Sequence, residues 1–138
     1  MKKLIKNLLL LSMLSMIFVA CDKDDDEEGE GEMKMEFKSG SGYTATNKTI
    51  ATGTAVKIGI EAESEESKDP LIKFNISEAV NGGTPTTVYS QDLNDADFEY
   101  DYNFTLSDTI SGNEHKFTFT VTNRDGFNKQ KALTVTVE

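Results

Sequence analysis

Two side chains of this sequence are chemically distinctive, the thiol of Cys21 and the imidazole of His115, because each is the only residue of its type in the chain. A single cysteine leaves no intrachain disulfide. A single histidine with no free thiol beside it makes neither a zinc site nor a pair of nucleophile and base. His115 shares the strand parity of Phe117 and Phe119 and lies beside a turn, which predicts a partly buried structural histidine. No serine-hydrolase or phosphate-loop motif is present, so we expect no enzymatic activity.

The thiol of Cys21 stands where the composition changes abruptly. A basic start over 1–7 is followed over 8–20 by an apolar run with the length of a signal-peptide core, which is short for a membrane span. Ala20 supplies a small residue before a cleavage point. We therefore predict a signal peptide over 1–20 and a mature chain that begins at Cys21. A secreted protein with a free thiol is the alternative.

Residues 18–21, FVAC, resemble the lipobox of bacterial lipoproteins, although Phe18 stands where that pattern usually has an aliphatic residue. In that family the cysteine carries a diacylglycerol thioether and becomes the N-terminus. The resemblance implies a covalent lipid on Cys21, with palmitate-type acyl chains, and a membrane partner reached through this lipid anchor. Two or more acyl chains hold a protein stably on a bilayer.

An acidic stretch, DKDDDEEGEGE, follows Cys21 and has no apolar residue to bury. This composition predicts a disordered tether over 21–34. Lys23, Asp24 and Asp25 resemble the export signal of Bacteroidetes-type surface lipoproteins, which implies a location on the outer face of the outer membrane. Aspartate directly after the cysteine is linked in enteric-type bacteria to inner-membrane retention, so a periplasm-facing lipoprotein is the alternative.

The remaining segment, 35–138, alternates apolar and polar residues over short stretches separated by turn residues, which is typical of β-strands. Phe74, Phe104, Phe117 and Val135 fall on the apolar phase, as does Ile72. The predicted strands are AVKIGIEAE, LIKFNIS, FEYDYNFTL, HKFTFTVTN and ALTVTVE, with weaker candidates in KMEFK and TTVYS.

About seven strands in a segment of this length predict an all-β domain, a single immunoglobulin-like antiparallel β-sandwich. The last third, 104–138, resembles the final strands of bacterial immunoglobulin-like and fibronectin-III-like modules. The chain lacks the paired cysteines and the core tryptophan of antibody domains. A jelly roll or a small barrel is the structural alternative.

Two groups of residues are candidates for ligand binding. Three aspartates and one asparagine, Asp92, Asn94, Asp95 and Asp97, are predicted to lie in a loop, where their oxygens suit calcium, although the spacing is not that of an EF-hand. A solvated acidic loop without metal is the alternative. The aromatic stripe over 98–104 alternates with polar residues and is predicted to face the core, whereas Tyr89 and Phe127 are better candidates for exposed aromatic rings.

One further motif concerns modification. Asp108, Thr109 and Ile110 resemble the three-residue O-glycosylation motif of Bacteroidetes-type exported proteins. The resemblance implies a glycan on the hydroxyl of Thr109.

These features predict a lipid-anchored, non-catalytic binding or interaction module at the bacterial surface, with an unidentified protein or glycan partner. The chain has 24 acidic and 14 basic residues and a formal charge of −10, so nucleic acid is not an expected partner. No cofactor is expected apart from the lipid on Cys21. A glycan-binding accessory of a polysaccharide-uptake system is one alternative, and a cluster of exposed aromatic rings would favour it. A structural component of an envelope assembly is the other, and an unprotected edge strand would favour that role.

Overall fold

A computed structural model describes residues 33–138. Within these residues the structure has no helix of the length and hydropathy needed to cross a membrane. The described chain forms eight strands, which are β1 (Met33–Phe37), β2 (Lys48–Ile50), β3 (Ala55–Ser64), β4 (Leu71–Val80), β5 (Thr86–Asp95), β6 (Asp97–Thr105), β7 (Glu114–Asn123) and β8 (Asn128–Val137).

The strands form two sheets that pack face to face. One sheet has three strands in the order β1-β3-β6, and the other has five in the order β2-β8-β7-β4-β5. All neighbours pair antiparallel except β2, which runs parallel to β8. Rings from the two sheets meet edge to face where Phe37 lies 5.6 Å from Phe119. The fold is therefore an immunoglobulin-like β-sandwich, as the sequence pattern predicted.

The core consists of the apolar phase of each strand, because side chains of a strand alternate between the two faces of its sheet. Phe74 and Phe119 are fully buried in the five-stranded sheet, and Ile58 and Ile60 are fully buried in the three-stranded sheet. The predicted inward positions Phe117 and Val135 are confirmed, with 1% and 0% exposure.

A tight turn follows β4. Asn81 and Gly82 follow β4 with φ angles of 50° and 70°, and the Gly83 N–H donates to the Val80 carbonyl over 2.9 Å. Two successive positive φ values match the type I′ turn that antiparallel strands favour, and asparagine and glycine are the residues that adopt it most readily. The sequence NGG therefore forms the turn that follows β4.

Three expectations from the sequence need correction. Strand β1 begins at Met33, so Met33 and Lys34 belong to the sandwich and not to the tether predicted over 21–34. There are eight strands instead of about seven, because β2 has only three residues and shows no alternation. The segment TTVYS is the first half of a strand that continues to Asp95.

Ile72 was also predicted to face the core, but it is 36% exposed. The register against β7 shifts between Leu71 and Lys73, so Ile72 is an extra residue in a β-bulge. Leu71 takes the inward place and is fully buried.

Candidate functional site

The two longest edge strands lie on the same side of the sandwich. Strand β5 ends the five-stranded sheet with ten residues, and β6 ends the three-stranded sheet with nine. The edges on the other side are short, with five residues in β1 and three in β2, and each carries a lysine, Lys34 or Lys48. Short strands and lysines protect sheet edges from pairing with other chains. Neither β5 nor β6 contains proline, lysine or arginine. We call this side of the sandwich the open edge, meaning strands β5 and β6.

Aromatic rings line the inner face of the open edge. The rings of Tyr89 in β5 and Tyr100 in β6 are stacked, with centroids 4.5 Å apart and an interplanar angle of 23°. Both are half-buried and rest on Phe74, whose centroid lies 6.1 Å from Tyr89 and 5.5 Å from Tyr100. Phe74 is fully buried, so the two tyrosines rest on the core. Part of each tyrosine side chain remains accessible to solvent.

Polar groups stand beside these rings. The Tyr89 hydroxyl donates a hydrogen bond of 2.7 Å to Oε1 of Gln91, an exposed residue two positions along β5. Burial raises the pKa of the Tyr100 hydroxyl, and the Tyr89 hydroxyl next to it adds to the rise. The Tyr100 hydroxyl therefore stays protonated at neutral pH, so the edge offers hydrogen-bonding groups next to apolar ring faces, as binding sites commonly do.

The open edge is acidic. The sequence has no lysine or arginine between Lys73 and Lys116, a stretch that includes both strands. Within the described residues, Asp92, Asp95 and Asp97 form no ion pair, even though Lys73 lies opposite Asp92 in the sheet register. Their charges are thus available to a partner.

The acidic side chains on the outer face of the three-stranded sheet differ from Asp92, Asp95 and Asp97, because lysines neutralise them. Nζ of Lys38 lies 2.7 Å from Glu99 and 3.1 Å from Asp101, and Nζ of Lys57 lies 3.0 Å from Asp101. The Tyr43 hydroxyl donates to the same carboxylate over 3.1 Å. The hydrogen bond from Lys57 is the main cause that lowers the pKa of Asp101. This cluster is a structural contact that fixes the segment after β1 on the sheet.

The structure corrects the predicted calcium loop. Asp92, Asn94 and Asp95 lie within β5, and Asp97 is the first residue of β6 in the other sheet. Among residues 33–138, no three His, Cys, Asp or Glu side chains are grouped so that they could hold a metal ion. The four residues therefore lie along two edge strands of different sheets and not in one loop.

The predicted exposure of aromatic rings is partly wrong. Tyr89 and Phe127 are both half-buried against the core, whereas both were expected to be exposed. The stripe Phe98 to Phe104 faces the core as predicted but is only half-buried, because β6 is an edge strand with a neighbour on one side. The accessible pair Tyr89 and Tyr100 thus combines a residue expected outside with one expected inside.

His115 is bound between two carboxylates at one end of the sandwich. Its Nδ1 lies 2.7 Å from Oε1 of Glu78, and its Nε2 lies 3.0 Å from Oδ2 of Asp108. Asp108 also accepts hydrogen bonds from Nδ2 of Asn113 and the backbone N–H of Ile110. The prediction of a partly buried structural histidine is confirmed, since His115 is 9% exposed. The network ties the segment between β6 and β7 to the five-stranded sheet.

The modification motif lies on this tied segment. Thr109 is exposed, and Ile110 beside it is 63% exposed, so the two residues project from the surface while the Asp108 side chain points back to His115. Glycosylation of Thr109 stays a prediction. The lipidation residue Cys21 and the export residues Lys23, Asp24 and Asp25 lie outside the described residues.

The chain resembles known structures in fold alone. It matches no protein-family model and no curated protein sequence. It is similar to murine CRIg, with a TM-score of 0.50 and 12% identity over 78% of this chain and 99% of that one. A Niemann-Pick type C2 protein from the Japanese carpenter ant has a TM-score of 0.47 and 7% identity over 79% of this chain and 96% of its own. Sporulation control protein Spo0M from Bacillus subtilis has a TM-score of 0.42 and 14% identity over 80% of this chain and 50% of its own. The likeness to CRIg agrees with the immunoglobulin-like sandwich.

The sequence signal for the open edge was present but weak. The absence of basic residues between Lys73 and Lys116 is visible without a structure. What the sequence does not show is that β5 and β6 end their sheets on the same side, which depends on the strand order.

Proposed function

We propose that this chain is a non-catalytic interaction module, held at the outer membrane by a lipid on Cys21, that binds its partner through the open edge. The observation that carries the proposal is the side-by-side placement of two long edge strands with an accessible tyrosine pair between them. Interaction surfaces are enriched in tyrosine, and unpaired strand edges bind other chains.

Site-specific photo-crosslinking in intact cells tests the binding surface. A photoreactive residue at Gln91 of the full chain is expected to give a discrete adduct with a partner. The same residue at Asp125, in the exposed turn between β7 and β8, is the control and is expected to give none. Equal adduct yields at the two positions, or none at either, would overturn the proposal that the open edge binds.

The lipid anchor has a separate test. Intact mass and detergent partitioning are expected to show acylated Cys21 in the wild type and a non-partitioning Cys21→Ala variant. Replacing Lys23, Asp24 and Asp25 by alanine is expected to leave partitioning unchanged and to reduce cleavage by protease added to intact cells. Membrane partitioning of Cys21→Ala would contradict the anchor, and unchanged cleavage would leave the acidic segment as a spacer only.

A glycan partner is the second candidate, and the stacked pair Tyr89 and Tyr100 favours it. The exposed part of this pair offers an apolar surface to a sugar ring, and Nε2 of the Gln91 amide, next to Tyr89, suits a sugar hydroxyl. Affinity electrophoresis in gels with polysaccharide is expected to retard the wild-type chain, to retard Tyr89→Phe less, and not to retard Tyr89→Ala. Equal mobility of all three in every polysaccharide tried would exclude this candidate.

A structural role in an envelope assembly is the third candidate, and it is favoured by the length of the edge strands β5 and β6. Purification without crosslinking distinguishes this role. A subunit of a stable assembly would copurify with the chain, whereas a transient partner would be recovered only as the Gln91 adduct.

Thr109 is the proposed site of an O-glycan, supported by its exposure next to Asp108. Intact mass of the mature chain from its native host is expected to exceed the mass calculated for the lipidated polypeptide, and Thr109→Ala is expected to remove the excess. Thr105→Ala, at an exposed residue in the same part of the chain, is the control. An excess mass that persists in Thr109→Ala would contradict the assignment.

A further inference from the structure

We propose that β5 accepts an extended peptide segment as an added strand, and that this segment alternates basic with apolar side chains. The inference rests on the proposed function and names the chemistry of its partner. Three features of the open edge lead to it, namely the backbone of β5, its two faces and its charge.

The backbone of β5 is free along one side. Strand β5 pairs with β4 over most of its length, and it has no strand on its other side in the described sheets. A strand that ends a sheet presents alternate N–H and C=O groups outward, and an extended peptide satisfies them by pairing. Strand β5 has ten residues and no proline, and its register with β4 is regular from Tyr89 to Asp92, between two shifts, so an added strand would pair along that run.

The two faces of β5 differ, and an added strand would face the same two environments. Tyr89 and Leu93 lie on the inner face, half-buried against the core next to Tyr100. Ser90 and Asp92 lie on the opposite, outer face and are exposed. Because side chains alternate along a strand, the partner would place apolar residues over the tyrosines and polar residues beside Asp92.

Charge selects a basic partner and disfavours a second copy of this chain. Within the described residues, Asp92 forms no ion pair, so a lysine or arginine on the outer face of the added strand would lie beside an unneutralised carboxylate. Two copies paired through β5 would bring two acidic strands together, and like charges opposite one another across strands are destabilising. The formal charge of −10 opposes self-association further.

Synthetic peptides of about eight residues test the partner chemistry on the purified full chain. The probe alternates lysine and valine. One control replaces every lysine by glutamate, and a second has the composition of the probe with its lysines grouped at one end. The alternating basic peptide is expected to bind about tenfold or more tightly than either control, with an affinity that falls as salt rises. Equal binding of the alternating and grouped peptides would overturn strand addition, because charge alone would then explain the affinity.

Proline variants test the backbone. Neighbouring residues along a strand direct their N–H groups to opposite edges, so one of Ser90 and Gln91 donates toward β4 and the other points to the free edge. Of Ser90→Pro and Gln91→Pro, one is expected to keep the wild-type melting temperature and lose peptide binding about tenfold or more, because only the outer donor is removed. A variant that keeps both the melting temperature and the binding would contradict the proposal.

Charge variants complete the test and separate it from the proposed function. Asp92→Asn is expected to weaken binding of the alternating basic peptide severalfold at low salt. The control, Asp125→Asn, removes the same charge elsewhere and is expected to change it little. If the peptide does not bind while the Gln91 crosslink is still present, strand addition fails and the proposed function stands. Dimers that the proline variants abolish would identify a second copy as the occupant and overturn the basic partner.

Discussion

The Nδ1 atom of His115 lies 2.7 Å from Oε1 of Glu78, so a strand β7 imidazole is joined to a strand β4 carboxylate while its other nitrogen contacts Asp108. Burial disfavours the imidazolium, but the hydrogen bonds to Glu78 and Asp108 outweigh it and raise the pKa of His115 above its ordinary value. Tyr102 is the other titratable group near this pair, and burial together with Glu78 raises its pKa, so it stays neutral.

The first prediction is that stability falls on the alkaline side. A raised folded-state pKa means that stabilisation by the charged His115 is fully present below the unfolded pKa of about 6.5 and is lost as pH rises through the folded value. Urea unfolding between about pH 6 and pH 9 is expected to show this loss in the wild type and not in His115→Gln. His115→Gln is expected to cost about 1–3 kcal/mol at pH 6, since it removes the imidazolium that pairs with the half-buried carboxylates of Glu78 and Asp108. Parallel pH profiles for the two proteins would contradict the assignment.

The second prediction concerns Asp108 on the acid side. Hydrogen bonds from Asn113 and from the backbone N–H of Ile110 lower the pKa of Asp108 to about 2 against the opposing effect of burial, and His115 contributes to the same shift. A lowered pKa stabilises the fold above the unfolded value near 4, and this stability is lost as pH falls toward 2. Asp108→Asn is expected to flatten the acid limb of the unfolding profile between about pH 4 and pH 2. An unchanged acid limb would place the responsible carboxylate elsewhere.

The third prediction is that Glu61 destabilises the three-stranded sheet. Glu61 lies directly opposite Glu36 on one side and Glu99 on the other, so three glutamates stand in a row across the sheet. Lys131 contacts Glu36 and Lys38 contacts Glu99, but neither lysine pairs with Glu61 in the described structure.

Like charges directly opposite each other destabilise a sheet, so Glu61→Gln is expected to raise the free energy of unfolding by about 0.2–1 kcal/mol. Glu63→Gln is the matched control, because Glu63 lies between Lys34 and Asp97 and has a neighbour of each sign. Denaturant melts at low and high salt check both, and the gain from Glu61→Gln is expected to shrink with salt. An equal gain in the two variants would show that the change in net charge, and not the row of three glutamates, causes the stabilisation.

The fourth prediction concerns Gly59, over which Tyr43 and Lys38 pack. A Cβ atom at residue 59 would lie 2.6 Å from Cε1 of Tyr43 and 2.8 Å from Cβ of Lys38. Gly59→Ala is therefore expected to displace these side chains from Asp101 and to cost about 1–3 kcal/mol, as overpacking typically does. Thermal unfolding measures the cost, and Gly83→Ala, in the turn before β5, is the comparison, since its added Cβ would meet one atom, the Val80 carbonyl oxygen at 3.0 Å, and is expected to cost less. A neutral Gly59→Ala would mean that the segment carrying Tyr43 moves away freely.

The sequence predicted the strands that are buried on one face and missed what depends on neighbouring strands. Alternation in HKFTFTVTN is strong because β7 lies inside its sheet with one face on the core, so its register was predictable. Strand β5 is exposed on most of its residues, which erases the alternation after Tyr89 and made Asp92 to Asp97 resemble a loop. The bulge at Ile72 arises from pairing with β7, which no local pattern encodes.

The sequence likewise predicted some residues of the candidate site and missed others. The lipidation and export residues form a local motif around Cys21, which the sequence alone can suggest. The tyrosine pair is a contact between residues 89 and 100 from different sheets, and its accessibility follows from both strands being edges. His115 was predicted as structural, but its partners Glu78 and Asp108 come from other elements and were not predictable.

The last prediction tests the register of β7 and the depth of the core together. Phe117 is 1% exposed and packs against Phe104, with ring centroids 4.8 Å apart and an interplanar angle of 41°, whereas Phe104 lies in the edge strand β6 and is half-buried. Truncating a buried phenylalanine costs about 3–5 kcal/mol, through lost transfer free energy and the cavity left behind. Phe117→Ala is therefore expected to cost about 3–5 kcal/mol, and Phe104→Ala less, because its ring is partly solvated and its site can collapse toward the open edge.

Thr118→Ala is the matched control in β7, because Thr118 is on the opposite face from Phe117 and is expected to change stability by less than about 1 kcal/mol. Urea or guanidinium melts of the three variants give the order Phe117, Phe104, Thr118 from largest to smallest loss. Since a slip of one residue exchanges the two faces of a strand, a threonine variant that is costlier than Phe117→Ala would mean that the register of β7 is wrong. A Phe104→Ala variant as costly as Phe117→Ala would instead mean that β6 is covered in solution, and the open edge would then be closed to a partner.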